Sequence, residues 1–543
     1  MPNAWGSETL PSSDASPSWR ASVCSRACQG PERVSRHLQL TGTPHGTLVS
    51  RSMMPARTSE APAIGVPATP PSLGDAALRS PVTVFVVGAA LVAIHLGLGH
   101  VDFPRAARFG AALMGFLAFW AIRDARKTRL PFLAYFAANF YVVYGLSTLS
   151  EQRLMTVNGP AYVSDQARTM AVWACTLALG IILFTSKLTL TLGRHAGKNI
   201  ARVLPPGHIS RHRGAMRIWA VAVLVLHGVT VATRANPSAA WAFALGLLAS
   251  PILVQTLLFT EWRTSKAHSS RNWFWGFTLA TVSLGLASGA LGGAVAPLLC
   301  VFILLWQGVG RVRVGPVLAL VGLGLLFNPA KMEYRQKVWQ ATEEVSFTER
   351  AGIWAEAIEN AWGGERPDVE GNLDATRKRL SEIAFVAQVF DWVPHYVPHS
   401  GFVRWKMILY SYIPRAIWPD KPLLTRFFNA DYALAFGLQT AEGVETTAIN
   451  IPLVTEAYWT FGWAGVVIAS LLVGLLLGLY EGAFAPSRWA MQALGMTFLL
   501  SLPTVGHLGT FYMGIAQRVA VGVAVLWLIA GIAWVLAANR RAA

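Results

Sequence analysis

Of 543 residues, 53% are apolar, 11% aromatic and only 13% charged, about half the charged share of a soluble globular chain. That composition argues against an ordinary water-soluble enzyme. The 45 Lys+Arg stand against 28 Asp+Glu, a formal charge of +17, but the basic residues gather between apolar runs, where they set topology and meet anionic lipid rather than nucleic acid. Four Cys in a chain of this length make no disulfide framework: Cys24 and Cys28 sit in a polar tail, Cys175 and Cys300 in apolar runs.

Residues 1–80 are rich in Ser, Pro, Ala and Thr and read as a disordered cytoplasmic tail without a secretory signal. Apolar runs then follow at Val82–Leu98, Phe109–Ile122, Leu130–Leu149, Met170–Leu190, Ile218–Thr233, Ala239–Phe259, Phe274–Leu286, Leu291–Trp306 and Val314–Phe327, and again at Trp463–Leu479, Ala490–Val505 and Val519–Ala537. A membrane helix needs roughly 20 such residues. The pattern predicts an all-α, polytopic integral membrane protein with about 12 transmembrane helices. About nine lie in 81–328 and about three in 451–543, flanking one large loop over 329–450. With a cytoplasmic N-terminus, the inner loops and C-terminal end, counted with Lys187 at the inner end of the fourth run, carry 19 Lys+Arg and 3 Asp+Glu, against 6 and 3 in the short outer loops. This positive-inside bias puts both termini in the cytoplasm and the large loop outside it. The halves are unequal and no repeat recurs, which disfavours a transporter of two similar halves.

The 329–450 loop holds 16 of the acidic residues and 13 of the basic ones. Loops of this length usually carry function. Ser346-Phe-Thr-Glu349 reads as a capping box, opening a helix with Ile353, Trp354, Ala357, Ile358, Ala361 and Trp362 on one face and Gly363-Gly364 at its end. A second helix is expected from Leu373 to about Phe390. The stretch Gly401–Tyr410 mixes bulky apolar residues with Arg404 and Lys406 and is expected to lie in the interface, its cations reaching toward phosphate. The interiors of the runs hold no carboxylate, which argues against a proton-coupled pump. His95 and His227 read as helix-packing residues. Glu456 stands at the mouth of the tenth span, facing either water or a site at the outer interface.

The segment Tyr412-Ile-Pro-Arg-Ala-Ile-Trp-Pro-Asp-Lys-Pro422, then Thr446-Thr447 and Glu456-Ala-Tyr-Trp-Thr-Phe-Gly-Trp-Ala-Gly465, resembles bacterial O-antigen and exopolysaccharide repeat-unit polymerases (Wzy-type). The resemblance is strongest over 400–470. Arg350, in Glu-Arg-Ala-Gly-Ile-Trp, looks like the Arg-x-x-x-Trp helix of the wider group that includes O-antigen ligases. The resemblance implies a GT-C-like membrane glycosyltransferase of the bacterial inner membrane. Such an enzyme joins undecaprenyl-diphosphate-linked glycans at the outer face without nucleotide sugar or ATP, beside a flippase and a chain-length regulator. An O-antigen ligase and a non-catalytic polysaccharide exporter are the alternatives.

Transfer from a diphosphate lipid needs a stabilised leaving group and an activated hydroxyl. Arginine's planar fork suits diphosphate, which makes Arg350, Arg404, Arg415 and Lys421 the binding candidates. Arg415 ranks first because Pro414 and Trp418-Pro419 restrict its backbone. The base candidates are Glu456, Asp420, His395 and His399, and His399 is nearest in order to a histidine on which the ligases depend. The first outer loop has one acidic residue, Asp102, so no metal and no other cofactor is expected.

Overall fold

The computed structural model describes residues 80–125, 130–150, 154–205, 209–232, 250–289, 291–309, 314–339, 345–363, 382–411, 413, 418, 424–446, 449–484, 489–500 and 508–542. The tail reading for 1–80 lies outside them, apart from Ser80. The described residues are overwhelmingly helical. Helix α1 (Pro81–Leu98) starts on a Ser80 side chain that accepts the Val82 N–H, with Pro81 at the first helical position. Helix α2 spans Arg105–Ala125. Helix α3 (Phe132–Phe140) widens into a π turn at Tyr141–Gly145 and tightens into a 3-10 turn at Leu146–Leu149. His95 of α1 meets Tyr141 Oη at 2.8 Å and Thr148 Oγ1 at 3.0 Å, the packing role read for it from sequence. Strands β1 (Met155–Thr156) and β2 (Gly159–Pro160) form a two-residue antiparallel pair.

Helix α4 (Asp165–Val203) is 39 residues long, about 58 Å at 1.5 Å per residue, against a hydrocarbon core of about 30 Å. The basic stretch from Lys187 to Arg202 therefore continues the helix instead of forming a loop. Helices α5 (Arg213–Ala232), α6 (Pro251–Ser265) and α7 (His268–Ala287) share one polar anchor. The buried Glu261 carboxylate of α6 meets Arg213 Nε at 2.5 Å and accepts from Ser270 Oγ at 2.6 Å. Helix α8 (Leu291–Val309) and helix α9 (Val314–Trp339) follow. The latter runs through Pro329, past the predicted span end at Phe327 and into the polar segment. Ser346 and Glu349 form the expected reciprocal box at the start of α10 (Phe347–Trp362), which Gly363 closes. Its Trp354 ring stacks on Tyr334 of α9 at 4.3 Å, making a second small core with Ala330, Val338 and Ala357.

Helices α11 (Ile383–Trp392), α12 (Val403–Ser411) and α13 (Leu424–Ala435) complete the polar segment, with a single turn at Gly443–Thr446. The predicted second helix thus appears as Ile383–Trp392; its expected first half lies outside the described residues. Helix α14 (Leu453–Ala483) begins ten residues before the predicted tenth span and breaks at Phe461–Gly462, where Gly462 takes φ +60°, a value that favours glycine. Helices α15 (Trp489–Leu499) and α16 (Leu508–Ala542) end the chain. Within the described residues the predicted apolar runs fall on these helices, the third from Phe132, the fifth through Ala232, the sixth from Pro251 and the eleventh through Leu499. Among the described residues seven helices are long and apolar enough to cross a membrane: α1, α2, α3 through Leu149, α4, α5, α14 and Val521–Asn539 of α16. The core gathers around α4 and α14, which pack against each other along most of their length.

Candidate functional site

The break in α14 and the two short helices before it assemble the site. Arg404, on α12, is 1% exposed, although the sequence suggested an interfacial cation. It turns inward because its partners are inside. Its Nη1 donates to Asp431 Oδ2 of α13 at 2.5 Å, its Nε lies 3.9 Å from Glu456 Oε1, and its guanidinium carbon sits 4.5 Å from the centre of the Trp459 ring. An arginine fork over an indole is favourable in itself. Burial lowers the guanidinium's proton affinity, and Glu456 and Asp431 work against that. Asp431 keeps about half its side chain in solvent, whereas Glu456 is fully buried in the first turn of α14. In the same Gly401–Tyr410 stretch Phe402, Val403 and Leu409 are exposed.

Trp459 is the hub. Its indole N–H donates to the Pro398 carbonyl at 3.0 Å, and its own carbonyl accepts the Ser400 N–H at 3.0 Å and faces His399 Nδ1 at 3.2 Å. The positive φ at position 462 favours glycine, and a Cβ there would make only ordinary contact with His399 Cε1, at 3.5 Å. Between His399, Gly401, Thr460, Phe461, Ala464 and Ile468 opens an apolar hollow of about 530 Å³. Thr460 turns its hydroxyl onto the Glu456 carbonyl, which leaves His399 as the polar edge of that hollow.

Of the residues chosen from sequence, Arg404 and Glu456 therefore come together, and His399 joins them through Trp459. Arg350 serves a different place: its Nη1 donates to the Val231 carbonyl near the end of α5 at 2.8 Å and its Nε to the Val345 carbonyl at 3.2 Å, a cation closing a helix C-terminus. Lys406 is exposed, 5.7 Å from the Tyr410 ring, and His395 is exposed as well. Arg415, Asp420, Lys421 and Thr447 lie outside the described residues, as does the Thr446 side chain.

Sequence reasoning missed Asp431, Trp459 and Tyr432 as site residues, and it missed Glu382. The last precedes α11 without capping it; its N–H donates to the Val143 carbonyl in the π turn at 3.4 Å. Burial pushes its carboxyl from an ordinary value of 4.5 up to about 8. Tyr432 is fully buried, with its phenol driven well above its usual range by burial and by Glu382, against the pull of Arg404. The hydroxyls of Tyr432, Tyr144 and Thr455 and the amide oxygens of Gln388 and Asn429 are buried without a hydrogen-bond partner among the described residues. Such groups are costly, each by about 1–3 kcal/mol, and call for an explanation. Because the folded state holds the Glu382 proton more tightly than the unfolded chain does, its contribution to stability is present below about pH 4.5 and lost as pH rises through about 8. Thermal melting of detergent-solubilised protein should decline across that window, and less steeply for Glu382→Gln.

A family model described as a domain of unknown function, DUF8712, matches residues 128–481, from before α3 to two residues short of the end of α14, with all the site residues above inside it. No curated protein matches the chain. No solved structure matches it.

Proposed function

The chain belongs to the DUF8712 family, and from that premise we propose that it is a membrane glycosyltransferase that polymerises undecaprenyl-diphosphate-linked oligosaccharide repeat units. The observation that carries the reading is a buried arginine, held over the Trp459 ring between Asp431 and Glu456, beside an apolar hollow at the broken start of a helix long enough to span a bilayer. A diphosphate displaces the half-exposed Asp431 from the guanidinium fork, while Glu456 keeps the other edge oriented. Fixed cations aimed at developing negative charge are often the largest catalytic contribution. Arg415 and Lys421, in the polymerase-like segment, supply further cations, and His399 lines the hollow. The polymerase-like motifs at 412–422 and 456–465 support this reading over the ligase and the exporter.

The architecture that goes with it is GT-C-like, with about twelve spans in the bacterial inner membrane and both termini cytoplasmic. A periplasmic reporter fused after Phe390 should then be active and one after Arg213 silent; the reverse pattern removes the site from the side where lipid-linked glycans are presented. The direct test incubates purified protein with a synthetic undecaprenyl-diphosphate repeat unit. A ladder of lipid-linked oligomers is expected. No ladder, with transfer of preformed polymer to a lipid A core acceptor, would replace the polymerase by the ligase.

A further inference from the structure

Between Asp165 and Glu333 the chain carries a single acidic residue, Glu261. It is fully buried near the end of α6, and two arginines of α5 turn toward it. Arg213 Nε lies 2.5 Å from Glu261 Oε1, which also accepts from Ser270 Oγ at 2.6 Å. Arg217, one turn further along α5, stands 3.9 Å from the same oxygen. The carboxylate is therefore taken up by Arg213 and Ser270, and Arg217 is left at the edge of its reach. Arg217 Nη2 donates instead to Ser269 Oγ of α7 at 3.2 Å, and its guanidinium carbon sits 5.6 Å from the centre of the Trp273 ring. With 25% of its side chain in solvent, this fork is held in place and still open to a ligand.

The charge around the fork is one-sided. Helices α5, α6 and α7 pack against one another, and this brings the basic stretch before α5 to the same end as the one between α6 and α7. Arg211, Lys266 and Arg271 are exposed there and have no ion pair among the described residues. Basic pockets between membrane helices are matched by anionic headgroups. Tryptophans favour the headgroup level, and this end carries Trp262, Trp273, the exposed Trp275, and Trp489, whose ring lies 5.4 Å from that of His212. Apolar surface runs away from the fork. Val221 and Val225 follow Arg217 at four-residue steps and are exposed, on a helix long and apolar enough to cross a membrane. A ligand matched to this surface has a phosphate at one end and hydrocarbon at the other.

We infer that Arg217, with the Ser269 hydroxyl beside it, binds the phosphate of an anionic glycerophospholipid from the surrounding bilayer, whose acyl chains lie along Val221 and Val225. The inference stands apart from the glycosyltransferase reading. A guanidinium fork offers a phosphate two parallel charge-assisted bonds, and the neighbouring unpaired cations draw the anion in. Glu261 serves the site indirectly: by engaging Arg213 and Ser270 it fixes the starts of α5 and α7, and so the spacing between Arg217 and Ser269. The bound lipid reinforces the α5–α7 contact that this hydrogen bond begins. A ligand that binds the folded protein alone stabilises it in proportion to its occupancy.

The test titrates the purified full chain, stripped of lipid in detergent, with dioleoylphosphatidylglycerol. It reads the half-life at fixed temperature and the lipid retained in native mass spectra. Dioleoylphosphatidylcholine supplies the same chains without net charge, and inorganic phosphate supplies the anion without chains. Phosphatidylglycerol is expected to lengthen the half-life saturably and to stay bound, and the other two to do neither. Arg217→Gln should raise the phosphatidylglycerol concentration at half-effect by about 10–100-fold, the usual worth of a hydrogen bond to a charged group. Ser269→Ala, a milder change at an exposed position, should raise it less and keeps the test decisive where Arg217→Gln fails to accumulate. Arg194→Gln, an exposed cation on α4, removes the same charge elsewhere and should leave the half-effect concentration unchanged. An equal gain from phosphatidylcholine, or a half-effect concentration that the Arg217 and Ser269 variants leave in place, overturns the inference. A gain of the same size from inorganic phosphate overturns the lipid as its ligand.

Discussion

Arg404→Lys is expected to accumulate in the membrane at normal levels and to polymerise about 10²–10³-fold more slowly, the usual cost of losing one fixed stabiliser of developing charge. Lysine keeps the charge, but a point ammonium cannot sit over Trp459 while offering one edge to Asp431 and another to Glu456. Arg404→Ala should behave differently. It takes away the arginine partner of the buried Glu456, and removing one member of a buried pair typically costs about 3–5 kcal/mol, so the protein level should fall. Adding Glu456→Gln removes the buried charge and should restore the level without restoring turnover. Quantified membrane protein and oligomer length on gels read the two effects separately. Full turnover by the Arg404→Ala/Glu456→Gln pair would reduce Arg404 to a structural partner of the carboxylate and end its role in diphosphate binding.

Patterns repeating within a few residues were readable in advance. The apolar runs gave the helices, because hydrophobic length and turn chemistry are local, and the Ser346–Glu349 box was visible for the same reason. Glu456 stood out as a carboxylate at the entrance of an apolar run, and its burial explains why it matters. Arg404 was readable as a cation but not as an inward one. Its direction is set by Asp431, 27 positions on, and by Trp459, 55 positions on, and no spacing rule connects those positions. Glu382 was less legible still. Its environment is made by a π turn more than 230 residues upstream and by Tyr432 on another helix, and nothing in its flanking sequence marks it. Arg350 shows the converse: a helix motif identified the residue, while a carbonyl at the end of α5 decided what it holds.

Gly478→Leu is expected to remove the protein from the membrane fraction. Gly474, Gly478 and Gly482 recur every fourth residue on α14 and face Ile182, Ser186 and Leu190 of α4, also every fourth. A Cβ on Gly478 would stand far inside contact distance of the Ser186 carbonyl and 2.7 Å from the Ser186 Cα. These are backbone atoms on the middle of a long helix, so no side-chain rotation relieves them. Close approach is itself the attraction, because lipid tails give two apolar helices no hydrophobic reason to associate and packing must supply it. At this separation Ser186 Oγ donates to the Gly474 carbonyl at 2.9 Å and Thr189 Oγ1 to the Leu475 carbonyl at 3.2 Å. Prising the helices apart loses both along the seam, beyond the about 1–3 kcal/mol of ordinary overpacking. It also shifts the base of the helix that carries Glu456 and Trp459. Gly276→Leu on α7, where nothing lies within 4 Å, is the matched control and should leave the level unchanged. Quantified membrane protein and the half-life of detergent-solubilised protein at fixed temperature compare the two, and equal survival would mean that the α4–α14 contact is not what holds the bundle together.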